Sequence, residues 1–194
     1  MGELSGKVAI VTGASKGIGA AIARRFAEAG AAVAVNYASD KSGADRLVEE
    51  IKRAGGKAVA IQADVAKSAD IKRLFAETKA RFGTPSILVN NAGVFSFAPI
   101  EAVTEEDVER QFKVNVLGTL LASKEAVAAF DGAGGSIINL STIASVNPVP
   151  NSVVYASSKA AVDTITRLRS SSRRRRSGSM RSRRARRRRK ARRP

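Results

Sequence analysis

Tyr155 and Lys159 stand four residues apart in this chain of 194 residues. On a helix, positions i and i+4 share one face. An ammonium beside a phenol favours the phenolate and lowers a pKa of about 10. Such a pair can donate a proton at neutral pH. A second feature is the glycine-rich turn Thr12-Gly13-Ala14-Ser15-Lys16-Gly17-Ile18-Gly19. Glycines there let the backbone approach a phosphate, and the start of the following helix favours negative charge. The spacing departs from GxGxxG, with three residues between the first two glycines. Further on, where an acid would grip the ribose 2′-hydroxyl of NAD, the chain reads Asn36-Tyr37-Ala38-Ser39, and Asp40 comes later. Lys16 puts a positive charge in the glycine turn. Both features suit a 2′-phosphate and hence NADP. Neither motif is specific by itself, since a lone YxxxK also arises as a surface pair and a glycine turn can join strand to helix without a ligand.

These residues need a frame, and the apolar pattern predicts one. Val8–Val11, 32–35, 58–61, 87–89 and 136–140 are short, continuous apolar runs, read as buried parallel strands. Between them lie helical patterns: Ile18, Ile22 and Phe26; Ala44, Leu47, Val48 and Ile51; Ile71, Leu74, Phe75 and Phe82. A single long helical stretch is expected from about Thr104 to Phe130, opened by the capping pattern Thr104-Glu105-Glu106-Asp107, and a last helix from Val153 through Arg167. Strict alternation of strand and helix predicts an α/β fold, a Rossmann-type doubly wound parallel sheet with ligands at the carboxyl ends of its strands. The motifs fall at those ends.

Composition narrows the chemistry. With no cysteine and no histidine, disulfide scaffolds, cysteine-ligated metals, His-based triads and most catalytic zinc are excluded, and no metal is expected. No apolar run reaches the ~20 residues of a membrane span, and Met1-Gly2-Glu3-Leu4 does not read as a signal peptide. A soluble, cytoplasmic protein is expected. The net charge of +17 is unevenly placed: residues 1–166 net +1, and residues 167–194 hold 16 Lys/Arg and no acid.

Taken together, Thr12–Gly19, Asn90-Asn91-Ala92-Gly93, Asn115, Ser141 and Tyr155-Ala156-Ser157-Ser158-Lys159 resemble the short-chain dehydrogenase/reductase family in order and spacing, over residues 5–168. Within it the chain looks most like NADPH-dependent ketoreductases, the 3-oxoacyl-carrier-protein reductases and hydroxynaphthalene-reductase-like enzymes. The resemblance implies hydride transfer between NADPH and a small-molecule ketone or alcohol. It implies that Tyr155 protonates the carbonyl oxygen, that Lys159 depresses the Tyr155 pKa and binds the nicotinamide ribose, and that Asn115 holds a relay water. Ser141 would hydrogen-bond the substrate oxygen; Thr142 is the alternative, because the family shows both spacings. For the cofactor it implies Gly13, Ser15, Lys16, Gly17, Ile18, Gly19, Asn36, Tyr37, Asp64, Val65, Asn90, Ala92 and Gly93, with Asp64 at the adenine amine.

The family continues past the Tyr/Lys helix with a sixth strand, a Pro-Gly turn, a lid and a seventh strand, where this sequence turns to arginine and serine. The expected fold is thus truncated after the fifth strand and the Tyr/Lys helix. That leaves the fifth strand as a sheet edge, the activity impaired, and the family's homo-oligomer interface on the Asn115 and Tyr155 helices incomplete. Residues 169–194 are expected to be disordered, and the abrupt switch in a GC-rich codon alphabet predicts an out-of-frame reading. The competing reading is a Rossmann scaffold with an arginine-rich nucleic-acid-binding arm. The tail lacks aromatic residues for base stacking, so only non-specific, salt-sensitive polyanion binding is expected of it.

Overall fold

Apolar runs too short for a helix and flanked by glycine turns become strands, and the amphipathic segments between them become their covers. The structure, a computed structural model, describes residues 2–130 and 134–176. Its strands are β1 (Val8–Val11), β2 (Ala32–Tyr37), β3 (Lys57–Gln62), β4 (Ile87–Asn90) and β5 (Ser136–Asn139). The helices are α1 (Gly17–Glu28), α2 (Lys41–Arg53), α3 (Ser68–Phe82), α4 (Glu105–Phe112), α5 (Gly118–Ala129) and α6 (Val153–Arg176). All strand pairs are parallel, in the order β3-β2-β1-β4-β5. The α/β doubly wound class expected from the alternation is the one observed.

Strand parity sorts the core into two layers. Ala9, Val11, Val33, Val35 and Tyr37 point toward α1 and α2, where Ala23, Ala27, Leu47 and Ile51 meet them. Ile10, Ala34, Ile61 and Leu88 point the other way, against Ile71, Leu74, Ala122 and Ala126 of α3 and α5. Covering both faces is what leaves β1 and β4 buried throughout. β5 is a sheet edge among the described residues, and Ile138 stays 44% exposed there.

Two boundaries differ from the sequence pattern. The helical stretch expected from Thr104 to Phe130 is divided: α4 passes through one π turn, Lys113–Leu117, before α5 begins. Its start is as expected, with the Thr104 hydroxyl accepting the Asp107 N–H at 3.2 Å. The tail was expected to be disordered from residue 169, but α6 carries on to Arg176. Arginine is a good helix former and serine a tolerable one, so the backbone helix carries on past the apolar periodicity. The remainder of the tail, 177–194, lies outside the described residues.

At the carboxyl end of the sheet, β1 and β4 are laced together through two side chains. The Thr12 hydroxyl donates to the Val89 carbonyl at 3.2 Å and accepts the N–H groups of Asn91 and Ala92, each at 3.0 Å. The Asn91 amide returns across the gap, donating to the carbonyls of Thr12 at 2.8 Å and Gly13 at 3.0 Å. Asn91→Ala would strand both carbonyls, a loss of about 1–3 kcal/mol. The expected result is a lower urea midpoint at unchanged slope, measured by circular dichroism.

Candidate active site

The glycine turn is shaped by what it must avoid. Gly13 has φ +60°, and a Cβ on it would lie 2.8 Å from the Ala92 Cα, so backbone from β1 and β4 touches where any side chain would intrude. Gly19 is equally confined, with a Cβ falling 2.4 Å from the Asn91 amide. The N-cap of α1 is Lys16, which makes no capping bond, and the first turn carries no acid. The positive end of the helix dipole is therefore presented without a side-chain anion. Ser15 is half-buried, while Lys16, Gly17 and Ile18 are exposed.

Asn36 and Tyr37, expected at the cofactor, turn their side chains inward. Asn36 is 1% exposed; its carbonyl accepts the Gly13 N–H at 3.1 Å, and its amide donates to the carbonyls of Ala63 at 3.0 Å and Ile61 at 3.3 Å. It ties the glycine turn to the ends of β2 and β3. Tyr37 packs in the α1/α2 layer. Only Ala38 and Ser39 are exposed at that strand end. Beside them lies an acid that sequence position had set aside. Asp40 caps α2 by accepting the Gly43 N–H at 3.0 Å and also takes the Ser42 and Ser15 hydroxyls, near the Lys16 charge. These contacts, the Gly43 bond first, hold its carboxyl below the ordinary value. Asp64 accepts the Ala66 N–H at 3.0 Å and lies 3.8 Å from the Lys67 ammonium, and Val65 is buried against Gly118.

Across the sheet end, Lys159 is only 7% exposed, and its ammonium donates to the Leu140 carbonyl just past β5 at 3.0 Å. A Cβ on Gly93 would stand 3.5 Å from that ammonium and 3.2 Å from the Asn115 carbonyl oxygen. Asn115, in the π turn and 1% exposed, spends its whole side chain on positioning. It accepts the Val94 N–H at 2.8 Å and donates to the Val94 carbonyl and the Ser158 hydroxyl, each at 2.9 Å. The loop after β4 is thereby pinned to the Tyr155/Lys159 helix. Asn90 instead joins β4 to its neighbours, donating to Asn139 at 2.8 Å and Ser123 at 3.1 Å. Tyr155 is half-buried between Phe95 and Phe97, at ring centroid distances of 6.0 and 6.2 Å.

The two candidate hydroxyls are employed differently. Thr142 accepts the Ala144 N–H at 3.3 Å, capping a short 3₁₀ turn. The exposed Ser141 lies 3.4 Å from the Lys159 carbonyl and also reaches the Asp163 carboxylate. Asp163, one turn beyond Lys159, is held below its ordinary pKa by the Ser145 hydroxyl first and by Ser141 and the Lys159 charge as well. Asp163 stands at i+4 from Lys159, the spacing of Lys159 from Tyr155, and nothing else in the sequence marks it.

The electrostatics correct one expectation. Lys159 was expected to depress the Tyr155 pKa, but burial raises the phenol above its ordinary value. Burial also pushes Lys159 down, with Asp163 opposing. The reason is geometric: the ammonium is directed at the Leu140 carbonyl, and rings surround the phenol. In this state Tyr155 is a protonated donor, half-buried between two rings. The elements otherwise bring the expected residues to one place, with the glycine turn on one side, Tyr155, Lys159 and Asn115 on the other, and the Thr12–Asn91 lacing between.

The profile of the short chain dehydrogenases matches residues 7–175. An uncharacterized oxidoreductase of Methylorubrum extorquens is 54% identical over 166 residues, which are 86% of this chain and 66% of the relative. Versicolorin reductase 1 of Aspergillus parasiticus is 45% identical over 85% of this chain and 63% of its own length. A short chain dehydrogenase of Burkholderia cenocepacia, solved in complex with NADP, superposes with a TM-score of 0.78 at 39% identity, over 82% of this chain and 65% of that one. The chain thus spans somewhat less than two thirds of the relatives it matches.

The Tyr155 environment has a titration consequence. The folded state holds that proton more tightly than the unfolded chain, so stability falls as pH rises past the ordinary phenol range. Tyrosinate absorbance of wild type minus that of Tyr155→Phe is expected to have its midpoint above 10, and Tyr155→Phe to lose less stability with rising pH. A midpoint at or below 10 contradicts this geometry.

Proposed function

This chain belongs to the short-chain dehydrogenase family, and from that membership we propose that it is an NADP-linked reductase acting on a ketone or the corresponding secondary alcohol. One observation carries the reading: a lysine buried to 7% exposure, one helical turn after a half-buried tyrosine, with its ammonium beside Gly93 and across the sheet end from a capless glycine turn. Burying an ammonium is costly, and a perturbed buried charge at a sheet end is a mark of a functional site. The residues present fit a dinucleotide. Gly13 has no room for a Cβ at its contact with Ala92, the start of α1 has no side-chain cap, and Gly93 leaves open the space next to the Lys159 ammonium.

The roles follow from these positions. The glycine turn and the first turn of α1 would hold the pyrophosphate on backbone N–H groups. Lys16 would hold a 2′-phosphate; Asp40 stands close by, but its carboxylate is committed to the start of α2 and to Ser15. Lys159 offers N–H donors to ribose hydroxyls beside Gly93. The nicotinamide, when bound, supplies the hydride that the carbonyl carbon accepts. Tyr155 gives its proton to the carbonyl oxygen and recovers one from solvent. Ser141 steadies the developing charge on that oxygen once its hydroxyl leaves the Asp163 carboxylate. Asn115 keeps the loop after β4 and α6 in register for this exchange.

Titration of the full chain with NADPH and NADH, followed by nucleotide fluorescence, tests the reading. NADPH is expected to bind more tightly. Lys16 is exposed, so Lys16→Ala should narrow the preference by only about two- to fivefold, the size of an exposed ion pair. Tyr155→Phe should keep NADPH binding and reduce ketone turnover by roughly 10²-fold or more. Failure to bind either nucleotide overturns the proposal.

A further inference from the structure

The other end of the sheet, where the strands begin, carries a hollow that the reductase chemistry does not use. It measures about 560 Å³, within the range of small-ligand sites. The sequence explains why it is there. β1, β2 and β3 start side by side, with Val8, Ala32 and Lys57 in one row. The middle strand is entered through Gly30, Ala31 and Ala32, whose side chains are too small to fill the space between its neighbours. At Gly6 and Gly55, in the turns before β1 and β3, a Cβ would meet nothing within 4 Å. Val8 and Phe82 give the hollow an apolar wall.

Lys7, Lys57 and Arg81 stand around this space, and all three are exposed. None of them has an ion-pair partner among the described residues, and no Asp or Glu lines the hollow with them. Lys7 and Lys57 lie two strands apart, about 10 Å, with the small residues of β2 between them. Lys57 shares its sheet face with Val8 and Ala32, the α3 side, where Arg81 and Phe82 end that helix. Helix carbonyl ends also point this way, yet they do not account for the lysines. α1 carries Arg25 in its last turn and α2 carries Lys52 and Arg53, which complement those dipoles locally. Lys7 and Lys57 belong to no helix.

We propose that this hollow is a binding site for a small phosphate monoester with an apolar body, separate from the dinucleotide site. Like charges gathered in a concave surface without counter-charge concentrate anions there. The charge count favours phosphate over carboxylate, since a phosphate monoester brings nearly two negative charges to three cations. Arg81 offers a fork that binds two phosphate oxygens at once, and the two lysines act as point charges. Val8 and Phe82 take the apolar body, which inorganic phosphate lacks. β1 is four residues long, so about 13 Å of strand separates this end from the glycine turn. A ligand here does not compete with one there.

The test is binding of phenyl phosphate to the full chain with NADPH in excess, at about 0.15 M ionic strength, measured by ligand-observed NMR. Saturable binding is expected, and inorganic phosphate should bind more weakly. Lys7→Ala, Lys57→Ala and Arg81→Ala together should weaken it about tenfold, the size of three exposed charge pairs. A charge-matched triple variant, Arg46→Ala, Lys72→Ala and Lys124→Ala, removes exposed cations elsewhere and should leave binding within about twofold. Circular dichroism checks the fold of both. Equal losses in the two variants would assign the anion to the net positive charge of the chain and overturn the site. Binding that NADPH abolishes overturns it too, by placing phenyl phosphate at the glycine turn. So does the lack of saturable binding, or equal affinity for inorganic phosphate. Nucleotide fluorescence in the same samples reads the reductase proposal separately, because none of the six substituted residues lies in the candidate active site.

Discussion

Two loops that leave the sheet at the ends of β1 and β4 must touch backbone to backbone, and almost everything at the site follows from that contact. It lies where the strand order changes direction, since β2 and β3 extend to one side of β1 and β4 and β5 to the other. In a doubly wound sheet the helices diverge there and leave a crevice. Gly13 meets Ala92 so closely that a single methyl would part them, and the Thr12 hydroxyl and Asn91 amide saturate the polar backbone thus brought together. A looser join would leave buried N–H and C=O groups without partners, at about 1–3 kcal/mol for each. The join therefore has one arrangement. It fixes the glycine turn on one side and the Gly93 loop on the other.

From that fixed seam, two asparagines carry order outward in opposite directions. Asn36 reaches back to bind Gly13, Ile61 and Ala63, so the glycine turn cannot move without β2 and β3. Asn115 reaches forward to Val94 and Ser158, so the loop after β4 cannot move without α6. Both are buried and both use donor and acceptor, the condition under which a buried amide costs little and specifies much. Lys159 then sits where these constraints converge, its charge balanced by one carbonyl and by Asp163 a turn away.

What the sequence made legible was whatever has a period or a forced geometry. Val8–Val11 and 87–89 read as strands because both their faces are covered, and the glycine turn read as a tight strand-to-helix join, which Gly13 and Gly19 make by leaving no room for a side chain. The directions of individual polar side chains were not legible. Asn36 sits at the predicted strand end, yet its amide bonds backward into the sheet, a choice set by the unpaired groups of Gly13, Ile61 and Ala63 that only folding assembles. The sign of the Tyr155 shift was missed for the same reason. Spacing placed an ammonium within reach, but the Leu140 carbonyl competes for it, and nothing in residues 155–159 announces that. The end of α6 escaped because the apolar periodicity stops before it, while arginine and serine can continue a helical backbone.

The π turn shows how a local irregularity serves a distant requirement. In an uninterrupted α-helix from Glu105 to Ala129, each residue advances the face by the same angle, and α4 and α5 would share one apolar stripe. Yet α5 must press Ala122 and Ala126 into the α3 layer, with Gly118 close enough to Val65 that a Cβ would lie 2.9 Å away, while Gln111 and Asn115 must face the loop after β4. The π turn at Lys113–Leu117 supplies the change of phase. Such turns tend to occur at functional sites, and here the reason is mechanical. Without the extra rotation, Asn115 could not span from Val94 to Ser158 while α5 kept its grip on the sheet, and the loop carrying Phe95 and Phe97 would lose its anchor beside Tyr155.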